Sequence, residues 1–348
     1  MEFSMKDSLR ASVEFASNGK NTVLYDEHNN PSIMVIIPRF KKEHIDPSLG
    51  TGTHEAFIVH GREVPEIFYP KYANIILDAG CPCSIPGVKP TTDITHAEAV
   101  DACKKKGRGW HLSNNAEWSA IALLSFKNKT LPHGNTNFGI YDKNVHETGV
   151  SVENTKYVGK YDNGGVELPV IIKSGTGPVT WSHDNTPSGV YDMVGNVWEL
   201  VAGLKVIDGK IYVAGEDGVP MNNFDLVDVE KSTKWWIDTK AFYTESGGSF
   251  AIGTSKTSKT TVAGYFETII AQSGYTIPDW MKSLCIFPYD TNTEYTSSYS
   301  VSLDGERLPM RGGCYHHAPN SSIFSMHITA DRDSSAIGIG SRPVYIDY

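Results

Sequence analysis

The alternation of apolar and polar positions divides this chain into short strands, two helices and long irregular stretches. Residues 1–30 are polar and end in the turn-rich run Asp26-Glu27-His28-Asn29-Asn30-Pro31. Ser32–Pro38 (SIMVIIP) is short, apolar and β-branched, which predicts a buried strand, and Glu55–His60 (EAFIVH) predicts another. From Gly61 to Pro90 brief apolar runs are cut by Pro and Gly, a pattern of strands and loops. Thr95–Lys106 sets Ala97, Val100 and Cys103 or Ala102 at helical spacing. A second helix is predicted from Asn114, where Asn114 and Glu117 suit a capping box and Trp118, Ile121, Ala122 and Phe126 line one face. Val190–Leu200 is a short apolar element broken at Gly195-Asn196. Residues 204–216 read as a hairpin about Asp208-Gly209, and residues 217–305, rich in Thr, Ser and Tyr, carry the least pattern. With few helices and many turns, the expectation is a single α+β fold with a large loop component.

The last segment, Arg311 to Tyr348, has a pattern of its own. A regular frame is visible: Arg311-Gly312-Gly313, Tyr315, Phe324, Met326, Ile328, Arg332, Ile339-Gly340 and Arg342. Between these positions stand Cys314, His316, His317, Asn320, His327, Thr329, Ala330, Ser334, Ala336 and Gly338, in no chemical order. The segment holds no Lys, Glu, Gln or Trp, although the rest of the chain has all four. An ordered frame carrying chemically arbitrary side chains suits a presented binding surface better than a catalytic centre.

Composition narrows the function further. The 348 residues are 40% hydrophobic and 20% charged, ordinary for a globular chain, and a net charge of −9 argues against non-specific binding to nucleic acid or an anionic membrane. The basic cluster Lys104-Lys105-Lys106 with Arg108 reads as a solvated helix end. No run of 18 apolar residues occurs, so no membrane insertion is expected, and the N-terminus lacks the apolar core of a secretory signal. The five Cys are odd in number and scattered, which predicts reduced thiols; Cys81-Pro82-Cys83 has no clear second pair of zinc ligands.

Candidate catalytic motifs fail on inspection. Gly248-Ser-Phe-Ala-Ile-Gly253 approaches a phosphate-binding loop, but Thr254 stands where the lysine is needed. No G-x-S-x-G elbow is present. His316, His317 and His327 gather three histidines, yet adjacent histidines on a strand would point to opposite faces, so no metal site and no cofactor are expected.

Three segments together resemble the formylglycine-generating-enzyme superfamily. Trp110-His111-Leu112-Ser113-Asn114-Asn115-Ala116-Glu117-Trp118 resembles its R-L-P-T-E-A-E-W helix start. Gly189–Leu200 (GVYDMVGNVWEL) is similar to its G-L-Y-D-M-x-G-N-V-W-E-W core motif, and Arg311-Gly312-Gly313 with Gly340-Ser341-Arg342 resembles its closing R-G-G-S-W … G-F-R. Tyr315 and Ser341 depart from the Trp and Phe of that pattern. The resemblance implies a C-type-lectin-type fold of few helices, short sheets and long irregular loops. On it, residues 1–50 form an N-terminal extension with a strand and residues 51–348 the lectin-like domain, with an insertion at about 206–305 and a variable segment at 311–342. Trp118, Gly195, Asn196, Trp198, Arg311, Gly312, Gly313, Arg332 and Arg342 are its structural frame.

Within that superfamily the sulfatase-activating enzymes carry a cysteine pair in the final segment. On a register from Arg311, those places are held by His317 and Ser322, and Cys314 falls elsewhere. The resemblance is stronger to another branch, the variable proteins of diversity-generating retroelements, many of them phage or viral receptor-binding proteins. It is carried by His111–Leu123, Gly134–Gly139 and Gly177–His183. In that branch template Asn codons are diversified at adenines. Randomising the first two bases of AAC or AAT cannot yield Lys, Glu, Gln, Met or Trp, and the ten interspersed residues are all reachable.

The reading is therefore a display protein rather than an enzyme. Its ligand-binding positions are Cys314, Tyr315, His316, His317, Asn320, His327, Thr329, Ala330, Asp333, Ser334, Ala336 and Gly338. The partner is an unidentified host-surface or protein ligand, and the place of action a virion tail or surface after cytoplasmic synthesis, or else a cell surface. The alternatives are an oxidoreductase of the formylglycine-generating type and a calcium-dependent sugar lectin, the latter disfavoured because neither E-P-N nor Q-P-D occurs. Since His titrates near neutrality, binding is expected to depend on pH between about 5 and 7.

Overall fold

A computed structural model describes residues 5–152, 156–157, 168–169, 171–223, 234–291 and 296–348. Two sheets enclose a central helix. The first is five-stranded and antiparallel, in the order Asn21–Tyr25, Pro31–Pro38, Glu66–Pro70, Pro343–Tyr345 and Trp110–Leu112. The predicted strand over 32–38 is present, and it pairs through Glu66–Pro70 to the C-terminal strand. Two strands from the expected extension over residues 1–50 are thus part of this five-stranded sheet.

The second sheet joins strands of the 206–305 region to the C-terminal segment. Thr261–Tyr265 pairs Ser298–Ser302, which runs parallel to Met326–Ala330. That strand pairs Glu306–Arg311, followed by the hairpin Leu204–Ile207/Lys210–Glu216 and then Trp236–Ser246 and Ser249–Gly253. The hairpin turns at Asp208-Gly209 as predicted, both at positive φ. Trp198–Leu200 bridges the frame, antiparallel to Glu306–Arg311 and parallel to Ile339–Gly340.

Helix α1 (Met5–Ala16) was not predicted; it buries none of its residues and leaves Met5 and Phe15 exposed. Helix α2 (His96–Lys104) and helix α3 (Asn115–Lys127) lie where the spacing placed them. In α3 the capping box is complete: Asn114 Oδ1 accepts from the Ala116 N–H at 2.9 Å, and Glu117 Oε2 accepts from the Asn114 N–H at 2.8 Å. The amphipathic face expected of α3 is a correction. Ten of its 13 residues are buried, because strands and loops close around it on nearly every side. Glu117 is buried with it and satisfied by the His111 Nε2 at 2.7 Å and the Asn222 Nδ2 at 2.8 Å. The strand expected over Glu55–His60 is also corrected: Glu55–Phe57 is a 3-10 turn, because the His54 Nδ1 accepts from the Ala56 N–H, and only Ile58–Val59 is extended.

Candidate functional site

The frame positions are buried and hold the C-terminal segment from beneath. Arg311 lies fully inside, with Nη2 donating to Asn115 Oδ1 at 2.6 Å and further donors directed at the carbonyls of Phe324, Leu284 and Cys285. Arg342 forms a two-pronged pair with Glu199 at 2.6 and 2.8 Å and also donates to the carbonyls of Pro70 and Tyr191. Arg332 differs: it is half-buried and forks onto Glu306 at 2.6 and 2.9 Å.

Trp118 is fully buried and donates its indole N–H to the Ile323 carbonyl at 2.8 Å. Gly195 and Gly312 are required by close approach. Both have positive φ, and a Cβ would lie 2.1 Å from the Asn135 oxygen or 2.5 Å from the Met193 oxygen. Asn196 supplies loop hydrogen bonds: its Oδ1 accepts from the Ile172 N–H and the Asn135 Nδ2, and its Nδ2 donates to the Ile172 carbonyl.

On this base the segment after Gly313 is fixed by backbone bonds. The Tyr315 N–H donates to the Asn196 carbonyl, the Phe138 N–H to the Tyr315 carbonyl, the Ala318 N–H to the Thr136 carbonyl and the Trp198 N–H to the Gly338 carbonyl. On the strand Met326–Ala330, Met326 and Ile328 are buried while His327 and Thr329 are half-exposed. His316, Asp333 and Ala336 are exposed, and His317, Asn320 and Ser334 are half-buried.

Cys314, Tyr315, Ala330 and Gly338, expected among the ligand-binding positions, are buried instead. Cys314, Tyr315 and Ala330 pack with Trp198, Leu200 and Ile339 in a small second core. Gly338 faces the Tyr315 ring and the Cys314 sulfur, with a built Cβ 3.5 and 3.9 Å away. Ser334 also has a local duty: its hydroxyl donates to Asp331 Oδ1 and accepts from the Asp331 N–H, closing the turn that carries Asp333.

Sequence reasoning missed two contributors to this face. Trp198, read as scaffold alone, stacks on His327 at 4.4 Å between ring centroids and meets His317 edge-on at 5.1 Å. Ser298, in the patternless stretch, places its hydroxyl 2.8 Å from His327 Nε2. The signal was there as a period of two, since Tyr299 and Val301 are buried and Ser298, Ser300 and Ser302 are not.

Another difference concerns His316 and His317. They lie in a turn closed by the His317 N–H on the Cys314 carbonyl, not on a strand, so both imidazoles converge on the Cys314 thiol. Burial, with a smaller contribution from a neighbouring histidine, pulls His317 and His327 down to about 4. The pH window expected for binding therefore moves from between about 5 and 7 to the region of 4.

These shifts bear on stability. His183, whose Nδ1 accepts from the Val190 N–H, is pulled down to about 4 by burial, with Asp184 opposing and Lys20 assisting. Its folded value lies below the unfolded value of about 6.5. The stability it contributes is fully present above 6.5 and is lost as pH falls toward 4, and His317 and His327 act in the same direction. Buried Asp192 is pushed up to about 6 by burial, so its contribution is lost as pH rises through about 4 to 6, the opposite sign. His54 and His316, lowered by burial, act with these histidines, and Glu199 and Glu267, raised by burial, act with Asp192. Five histidines outweigh three carboxyls, and the melting temperature is expected to fall between pH 7 and 4.5. A scan that stays flat or rises over that range would refute this balance.

The chain matches the sulfatase-modifying factor enzyme 1-like domain over residues 73–344. Among solved structures it is similar to the Major Tropism Determinant I1 variant, at 11% identity and a TM-score of 0.33, covering 90% of this chain but only 56% of that one. It is similar to the P3c variant at 10% identity and a TM-score of 0.32, covering 93% and 63%. It is also similar to Treponema denticola variable protein 1 at 12% identity and a TM-score of 0.34, covering 93% and 98%. No curated protein matches the chain. The family match starts just after the strand Glu66–Pro70, includes both capped helices and closes on the buried Arg342, so the chain belongs to the sulfatase-modifying factor enzyme 1-like domain family and has its C-type-lectin-type α+β fold.

Proposed function

We propose that this protein is a ligand-binding display protein whose C-terminal segment is diversified by a retroelement. Its ligand is a host-surface or protein target, and it acts from a virion or, as the close variant, a cell surface. The carrying observation is the strand Met326–Ala330. Its inward Met326 is a residue that adenine diversification of Asn codons cannot yield, and its outward His327 and Thr329 are residues it can. The reading is supported by exposed His316, Asp333 and Ala336 and half-buried Asn320 above a frame held by Arg311, Gly312 and Trp118.

A rigid frame loses little ordering entropy on binding, so side-chain exchange alone can change affinity. His317 and His327 against the Trp198 ring, with Asn320 and Thr329 half-exposed in the same segment, resemble the mixture used by antibody loops, adaptable polar groups beside a stiff anchor. An enzymatic role is disfavoured because His317 and Ser322 hold the places where the sulfatase-activating branch keeps its cysteine pair.

The test is the neighbouring DNA. A reverse-transcriptase gene beside a near-copy of the segment encoding residues 311–342, differing only at adenines, is expected. A locus with neither feature would overturn the diversification reading.

A further inference from the structure

We propose that Cys314, His316 and His317 form a zinc site within the presented face. The Cys314 Sγ lies 3.4 Å from His316 Nδ1 and 3.1 Å from His317 Nδ1, and one ligand atom from each residue falls within 4.8 Å of the others. In a tetrahedral zinc site with Zn–S of about 2.3 Å and Zn–N of about 2.05 Å, sulfur and nitrogen stand about 3.6 Å apart. Small rotations of the three side chains therefore suffice. A thiolate with two imidazoles is a donor set for zinc and unsuited to magnesium or calcium, which take oxygen ligands.

The backbone holds the three residues in place before any ion arrives. The turn from the Cys314 carbonyl to the His317 N–H folds both histidines back over the sulfur, and the bonds of Tyr315 to Asn196 and Phe138 anchor that turn to the frame. Trp198 walls His317 on one side, and the Tyr315 ring walls His316 on the other at 4.7 Å. Three protein ligands leave one coordination position, and the exposure of His316 brings it within reach of solvent. That position takes water in the free protein and is suited to a His, Cys or carboxylate from a bound partner. Zinc binding stands independently of the display reading; the partner-supplied ligand rests on it.

The experiment uses the full chain, stripped with a chelator and titrated with zinc chloride in a calorimeter, and in parallel with cobalt(II) followed by absorbance. One zinc per chain is expected, with release of the thiol proton, and cobalt should produce a thiolate-to-metal charge-transfer band. Removing an outer partner of a metal ligand already costs about 10–100-fold in affinity, so Cys314→Ser should weaken zinc by at least about 100-fold and abolish the band. His316→Ala removes an exposed ligand without opening the core and should weaken zinc by at least about 10-fold. His146→Ala, an exposed histidine on the strand Asn144–Thr148, should bind like the parent. Absence of a saturable single zinc in the parent overturns the proposal, as does a charge-transfer band that survives in Cys314→Ser. So does a His316→Ala protein that binds zinc as the parent does.

Discussion

Arg342→Ala is expected to cost about 3–5 kcal/mol of folding stability, the range for breaking a buried ion pair by deleting one partner. The guanidinium is fully buried and reaches four acceptors on three separate segments: both oxygens of Glu199, the Pro70 carbonyl and the Tyr191 carbonyl. Deletion strands the buried Glu199 carboxylate near the carboxyl of Asp192 and the hydroxyl of Tyr69 and leaves the Pro70 and Tyr191 oxygens short of their donors. Glu199 lies on Trp198–Leu200, the strand that ties Glu306–Arg311 to Ile339–Gly340, so the loss is felt beneath the C-terminal segment. The double change Glu199→Leu with Arg342→Met should cost less than Arg342→Ala alone, because it leaves no lone buried charge. Urea unfolding of the three proteins checks this. A loss below about 1 kcal/mol for Arg342→Ala would mean that the arginine is not what closes the frame.

What the sequence disclosed was whatever is local or periodic. The capping box at Asn114 and Glu117 needs only four residues, and the hairpin at Asp208-Gly209 only two at its turn, so both were legible. The frame arginines and glycines were legible through the family pattern, yet their partners were not. Arg311 meets Asn115 and Leu284, and Arg342 meets Glu199, over separations that no local signal spans. Helix α3 was read as one-sided because helical spacing marks which residues are apolar and says nothing about how many sides are covered.

The proposed ligand-binding face was legible only in outline. Small or reachable residues such as Cys314, Ala330 and Gly338 fit a core as well as a surface, and only packing against Trp198, Tyr315 and Ile339 decides between them. His316 and His317 were placed on opposite faces by assuming a strand; the turn at Cys314 reverses that outcome. Ser298 escaped because its strand is joined to His327 by parallel pairing across sequence that looked featureless.

The second large effect concerns recognition. Randomising His316, His317, Asn320, Thr329, Asp333 and Ala336 together should create new binding specificities while leaving the fold intact. Each of these side chains is exposed or half-exposed, where substitutions usually change stability by less than about 0.5 kcal/mol. Trp198→Ala, at the buried floor beneath them, is the contrasting case and should cost about 3–5 kcal/mol. Ser334 is left unchanged because its hydroxyl closes the turn at Asp331. A few of the varied positions should dominate any one complex, as hot spots do elsewhere. The direct measurement is a display library varied at these six positions and selected against a protein target foreign to the parent. The account predicts folded clones that bind the new target through the substituted side chains, with melting temperatures near the parent's. A library that unfolds, or folded clones that gain binding only through changes outside residues 311–342, would contradict it.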